Sequence, residues 1–108
     1  MTVEELVTKY GLTPICLSEP GREISGCYIG DLLSWVMGKA QADNVWITIM
    51  NNINTLAVAS LSDVALIILT ENVGLDENMI SEAKAKGINV AGSPCSSFEV
   101  AVKISSDV

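Results

Sequence analysis

Two stretches of this chain are apolar runs of strand length, Val45-Trp46-Ile47-Thr48-Ile49, interrupted only by Thr48, and Val64-Ala65-Leu66-Ile67-Ile68-Leu69. Around them lie segments of helical period, each opened by Asn, Asp, Ser or Thr. A strand buried on both faces has no wet side to alternate with, so it reads as a continuous hydrophobic run. Such strands alternating with helices predict a three-layer α/β/α sandwich with a largely parallel, mixed sheet, in which residues 64–69 are central.

The remaining elements follow from caps and spacing. Thr2 and Glu5 form a capping box for a first helix, with Val3, Leu6, Val7 and Tyr10 at helical spacing and Gly11 closing it. Residues 13–17 read as a short strand, Ser18-Glu19-Pro20-Gly21 as a turn, and residues 24–29 as a second extended segment. Gly30-Asp31 reads as the cap of a helix that buries Leu32, Leu33, Val36 and Met37. After the strand at 45–49, the polar turn Asn51-Asn52-Ile53-Asn54 leads into a small-residue helix over 55–61. Asp76 N-caps a helix to Lys86, with Glu77 at its positive end, Lys84 and Lys86 at its negative end, and Gly87 closing it. Residues 88–91 form the last strand. Ser96 and Glu99 make another capping box, for a helix through Phe98, Ala101, Val102 and Ile104. No repeat, linker or low-complexity tract interrupts the chain, so residues 1–108 read as a single domain.

Composition narrows the partners. Thirteen acids against six bases give a net charge of −7, which argues against nucleic acid and against anionic membrane surfaces. No apolar run approaches the ~20 residues that span a bilayer, and the acidic start is not a secretory signal; a cytoplasmic location is expected. Cys16, Cys27 and Cys95 lack paired spacing, and there is no histidine, so free thiols with no metal and no cofactor are expected. Trp46 falls inside a strand and is expected in the core. Trp35 lies between the apolar positions of its helix and reads either as a partly buried edge of the core or, facing outward beside Met37, as a subunit contact in a homodimer.

Three arrangements suggest chemistry. Cys16 and Arg22 have the spacing of a cysteine-phosphatase loop, but Glu19 between them repels phosphate and Glu23-Ile24-Ser25-Gly26 looks extended, so the spacing reads as coincidence. The stretch from Gly92 to Ser97 joins a strand to a helix, where Ser93, Ser96 and Ser97 could hold an anion, although Ser96 is also explained as a cap. Asn51, Asn52 and Asn54 follow an inner strand and read as turn and cap chemistry or as readers of a polar small molecule. Thr70, before Glu71 and Asn72, follows the neighbouring strand. With parallel strands these seven residues, Asn51, Asn52, Asn54, Thr70, Ser93, Ser96 and Ser97, share one rim of the sheet, where open α/β sheets bind ligands. Asp31 and Glu71 read as solvated or capping carboxylates. None of these groups has the setting of a general base or nucleophile.

The chain resembles the DRTGG domain family over nearly its whole length. The residues that carry the resemblance are Gly21-Arg22-Glu23-Ile24-Ser25-Gly26, Tyr28-Ile29-Gly30-Asp31-Leu32-Leu33-Ser34, Trp46-Ile47-Thr48-Ile49 with Asn54, and Ser96-Ser97-Phe98-Glu99-Val100-Ala101. Such domains are similar to the N-terminal domain of HPr kinase/phosphorylase and, more distantly, to the N-terminal domains of Mur ligases. They accompany CBS domains in regulated pyrophosphatases, and stand-alone copies are encoded near iron-only hydrogenase components. The resemblance implies a mixed-sheet α/β/α sandwich and a regulatory or assembly role. Kinase activity does not transfer, because it resides in another domain and this chain has no Gly-x-x-x-x-Gly-Lys-Ser/Thr string.

The expected function is therefore a non-catalytic regulatory or interaction domain, a homodimer, binding a small polar metabolite or a partner protein. The alternative is a small enzyme or enzyme subunit acting on a phosphorylated metabolite. A redox or cluster-handling accessory of hydrogenase maturation would require at least two of the cysteines to meet in space.

Overall fold

The apolar runs become the inner strands of one sheet. The computed structural model describes residues 1–108, with five strands: β1 (Thr13–Leu17), β2 (Cys27–Ile29), β3 (Val45–Thr48), β4 (Leu66–Leu69) and β5 (Asn89–Gly92). Their order across the sheet is β1-β5-β4-β3-β2. Strands β2 to β5 are parallel. β1 alone is antiparallel, pairing Thr13 with Gly92 and Leu17 with Asn89. β4 is the central strand, as its uninterrupted apolar sequence predicts, and all its residues are buried.

Five helices cover the sheet: α1 (Val3–Lys9), α2 (Leu33–Lys39), α3 (Ile53–Ser62), α4 (Glu77–Lys86) and α5 (Ser97–Ile104). Alternate strand residues supply two cores. Val45, Ile47, Leu66, Ile68 and Ala91 meet Val3, Leu6 and Val7 of α1 and Val100 and Ile104 of α5. Trp46, Ile67, Leu69 and Val90 face the other way, beneath Val36 of α2, Leu56 and Ala59 of α3 and Ala83 of α4. The result is the three-layer α/β/α sandwich read from the sequence. No helix is long and apolar enough to cross a membrane.

Several local expectations are corrected. Asp31 does not cap α2; Leu32 occupies the N-cap position without a side-chain hydrogen bond. The Asp31 carboxylate instead accepts from the Thr48 hydroxyl (2.8 Å) and the Ile49 N–H (3.0 Å), joining the ends of β2 and β3. Of the four residues expected on the buried side of α2, Val36 is buried and Leu33 partly so, whereas Leu32 and Met37 are exposed. In α5 the buried residues are Val100 and Ile104, while Phe98 and Val102 face solvent. β2 is shorter than the apolar segment that contains it, because Gly26 adopts a left-handed φ of 81°. A Cβ there would lie 2.8 Å from Asn44 Nδ2, and that amide donates to Ser25 O. Trp46 is fully buried and donates to Gly30 O, whereas Trp35 is 60% exposed, the outward-facing of its two readings.

The amino-end edge of the parallel strands is bound by charge and by one buried amide. Arg22 bridges Asp43 (3.0 Å) and the Asp63 carboxylate (2.9 Å) and donates to Asp63 O (2.6 Å). Asn89, 3% exposed, donates to Glu19 O and Ala65 O and accepts from Glu19 N–H. At the C-terminus, Asp107 accepts from the Tyr10 hydroxyl and from Lys9 Nζ, which fastens the closing 3-10 turn (Ser105–Asp107) to the end of α1.

Candidate functional site

The loops leaving β3, β4 and β5 emerge at the same edge of the sheet, because these strands are parallel. Most of their polar groups are engaged with one another. Asn52 caps α3, accepting from the N–H groups of Asn54 and Thr55. Asp76 caps α4, and Ser96 caps α5 in a capping box with Glu99. These caps occupy donors that a helix end otherwise offers to an anion. Thr70, fully buried, shares a 2.7 Å hydrogen bond with Ser97 that ties the end of β4 to the start of α5. The Ser93 hydroxyl accepts from Cys95 N–H (3.1 Å), and Asn51 donates to Gly74 O (2.9 Å) across two loops. Asn54 makes no side-chain hydrogen bond and lies exposed on the first turn of α3.

One pocket opens on this edge, with a volume of about 210 Å³. Thr13, Ile15, Asn72, Val73, Gly74, Gly92, Ser93 and Pro94 line it. Gly92 follows Val90 by two residues and so faces the α2–α4 layer. Its missing side chain leaves the space, since a Cβ there would already touch Ile15 Cδ1 at 3.4 Å. The loop over residues 70–76 forms the opposite wall. Glu71 and Asn72 hold that loop in left-handed backbone (φ 57° and 61°), with Glu71 N–H on Cys95 O and Asn72 N–H on Ser93 O.

The chain diverges at this point. From β4 it turns to α4 on one face, and from β5 it turns to α5 on the other. In open α/β sheets ligands bind in the crevice outside the carboxyl ends of strands whose connections part in this way.

Of the seven residues singled out in the sequence, Ser93 lines the pocket and Asn51 braces its Gly74 wall from outside. Thr70 and Ser97 bind each other beneath the loop, and Asn52, Ser96 and Asn54 lie apart from the lining. Thr13 and Ile15 escaped the reading because they reach this edge only through the reversed direction of β1. Gly92 carried a signal, because a glycine in a strand marks a place where a ligand or another backbone can approach closely.

No acid, base or thiol lines the pocket. Arg22 is held at the opposite edge by Asp43 and Asp63, so it does not complete an anion loop with Cys16, which is buried in β1. The cysteines do not meet. Cys16 packs into the core beneath α2–α4 while Cys27 and Cys95 pack against the other. Cys27 and the strand preceding Cys95 are three strand spacings apart, each about 4.8 Å. Burial pushes the Cys27 thiol up to about 11. No three Cys, Asp or Glu side chains gather where they could hold a metal ion.

No protein-family model matches the chain, and no curated protein matches it. Among solved structures it is similar to the CBS and DRTGG domains of the regulatory region of a Clostridium perfringens pyrophosphatase, solved with the activator diadenosine tetraphosphate. The TM-score is 0.73 at 16% identity, over 94% of this chain and 44% of that one. The chain thus spans less than half of the structure it matches. What the two share is the fold, and the architecture of this chain is DRTGG-like.

Proposed function

We propose that this chain is a non-catalytic regulatory domain that binds a small polar metabolite in the pocket between β1, β5 and the loop leaving β4. The observation that carries the reading is the lining itself. Hydroxyl, amide and main-chain groups surround a glycine-made gap at the point where connections part to opposite faces. Such a lining can recognise a ligand, but it holds no group that titrates near neutrality to move a proton. The pyrophosphatase region of like fold binds a nucleotide activator, which supports a regulatory reading.

Size and charge limit the ligand. A pocket of about 210 Å³ is smaller than the roughly 300–1,000 Å³ of a typical small-molecule site. It therefore seats one moiety, such as a sugar or a base, with the rest of the ligand outside. The net charge of −7 and the absence of a cation in the lining favour a neutral or singly anionic group there.

The test is a thermal-shift screen of nucleosides, nucleotides and phosphorylated metabolites, followed by calorimetry, on the native chain and on Gly92→Leu. A ligand bound only by the folded state raises the melting temperature. Expected is a shift for the native chain that the leucine abolishes by filling the gap. Equal shifts in both proteins, or none with any compound, overturn the reading.

A further inference from the structure

The two outer strands of the sheet are finished differently. β1 carries Pro14, which has no N–H to offer, and its ladder with β5 is irregular between Pro14 and Cys16. Proline and bulges are the devices that stop a sheet edge from pairing with another chain. β2 has neither. It is three uncharged residues, Cys27-Tyr28-Ile29, at the other end of the sheet.

Its hydrogen bonding fixes which groups face outward. Val45 N–H donates to Gly26 O (2.9 Å), and Gly30 N–H donates to Ile47 O (3.2 Å). Backbone groups alternate sides along a strand, so Gly26, Tyr28 and Gly30 turn toward β3. The N–H and C=O groups of Cys27 and Ile29 point off the sheet. We propose that this edge pairs antiparallel with the same edge of a second copy, about a two-fold axis at Tyr28. Cys27 then faces the partner's Ile29 and Ile29 the partner's Cys27, and each pair exchanges two main-chain hydrogen bonds. Four bonds result, and two five-stranded sheets become one.

The flanking surface agrees with a second copy as occupant. Ile29 is 47% exposed at the end of the strand. Leu32, at the N-cap of α2, and Trp35 in its first turn are both exposed, with Lys39 Nζ 5.9 Å from the Trp35 ring. Between residues 24 and 42 the chain carries one acid, Asp31, and one base, Lys39, so the segment that forms this edge is neutral on a molecule of net charge −7. Two copies can meet here without the repulsion their other surfaces would impose. Aromatic side chains are enriched in such contacts. Three strand residues and one helical turn make a smaller contact than the about 800 Å² per partner of a standard interface, so the dimer is reversible.

Sedimentation velocity across the micromolar range tests this on the full chain, with hydrogen exchange read residue by residue. Expected is a concentration-dependent dimer in which the Cys27 and Ile29 amides, fast in the monomer, become protected, while Tyr28 is protected in both states. Ile29→Lys and Trp35→Glu should each raise the dissociation constant by about tenfold or more, with an unchanged far-ultraviolet spectrum. Ala85→Glu, on an exposed residue of α4, which packs against β1 at the opposite edge of the sheet, should leave it unaltered. A monomer at every concentration overturns the proposal, as does a dimer indifferent to both β2-side substitutions or one dissolved by Ala85→Glu.

Discussion

The two ends of the parallel strands are built from different chemistry. At the amino end, one guanidinium bridges two aspartates and a buried asparagine holds three main-chain groups. At the carboxyl end, the strand tips are joined by hydroxyls, amides and a single carboxylate: Asp31 to Thr48, Asn51 to Gly74, Thr70 to Ser97. Removing Asn89 takes a partner from three main-chain groups, whereas removing Asn51 or Thr70 takes one from a single group. The amino end therefore contributes stability, and the carboxyl end can be altered with less risk to the fold. A site that must open to a ligand belongs at the second.

The comparison is sharpest at Asn89. Asn89→Ala takes a partner from the buried Ala65 carbonyl and from the partly buried N–H and carbonyl of Glu19 and should destabilise the chain by about 3 kcal/mol, read from urea unfolding. Arg22→Ala follows, at about 1–2 kcal/mol, because its aspartate partners are largely exposed and solvent screens the pairs. That loss should shrink as salt is added; a loss independent of ionic strength would mean packing, not charge, holds this edge. At the other end, Thr70→Val should cost about 1 kcal/mol for one hydrogen bond. Asn51→Ala should cost still less in unfolding while weakening any ligand bound against the Gly74 wall. A large unfolding penalty for Asn51→Ala would erase the contrast between the ends.

The smallest effects concern titration. Burial raises the Cys27 thiol from the ordinary 9.0 to about 11. Its contribution to stability is fully present below pH 9 and is lost as pH rises toward 11. Alkylation of Cys27 in the folded chain at pH 9 should be slow and become fast in denaturant. Asp107 is held below the usual carboxylate range by its hydrogen bonds from Lys9 and Tyr10, and the Tyr10 phenol is raised by the Asp107 bond. The closing turn should thus loosen as acid protonates Asp107, and Asp107→Asn should bring the ultraviolet titration of Tyr10 back toward its ordinary value.

Much of the fold was legible because burial on both faces leaves a plain signature. Residues 45–49 and 64–69 hold β3 and β4, and the caps at Thr2, Asp76 and Ser96 mark three helix starts to the residue. What misled was the sidedness of short helices. Leu32, Met37, Phe98 and Val102 are apolar but face solvent, since seven or eight residues present too few turns for a face to be assigned by hydrophobicity alone. Asp31 looked like a cap, yet its partner is a neighbouring strand, and no local pattern records a contact across 17 residues. The pocket was half legible. Ser93 and the strand ends that frame it could be read from the order of elements, whereas Thr13 and Ile15 depended on the direction of β1, which periodicity does not encode.

The lone antiparallel strand also sets the order in which the chain can assemble. From β2 to β5 each strand lies beside the next in sequence, so these contacts close short loops. β1 has its only neighbour, β5, across the span from Thr13 to Gly92. Loop closure of that length slows folding, and during synthesis the first strand stays unpaired until nearly the whole chain has emerged. The residues before β1 have near partners in residues 20–24, but β1 itself pairs late. In pulse-labelled refolding, protection at β1 amides should arrive no earlier than at β5, and the reverse order would show that β1 finds another early partner.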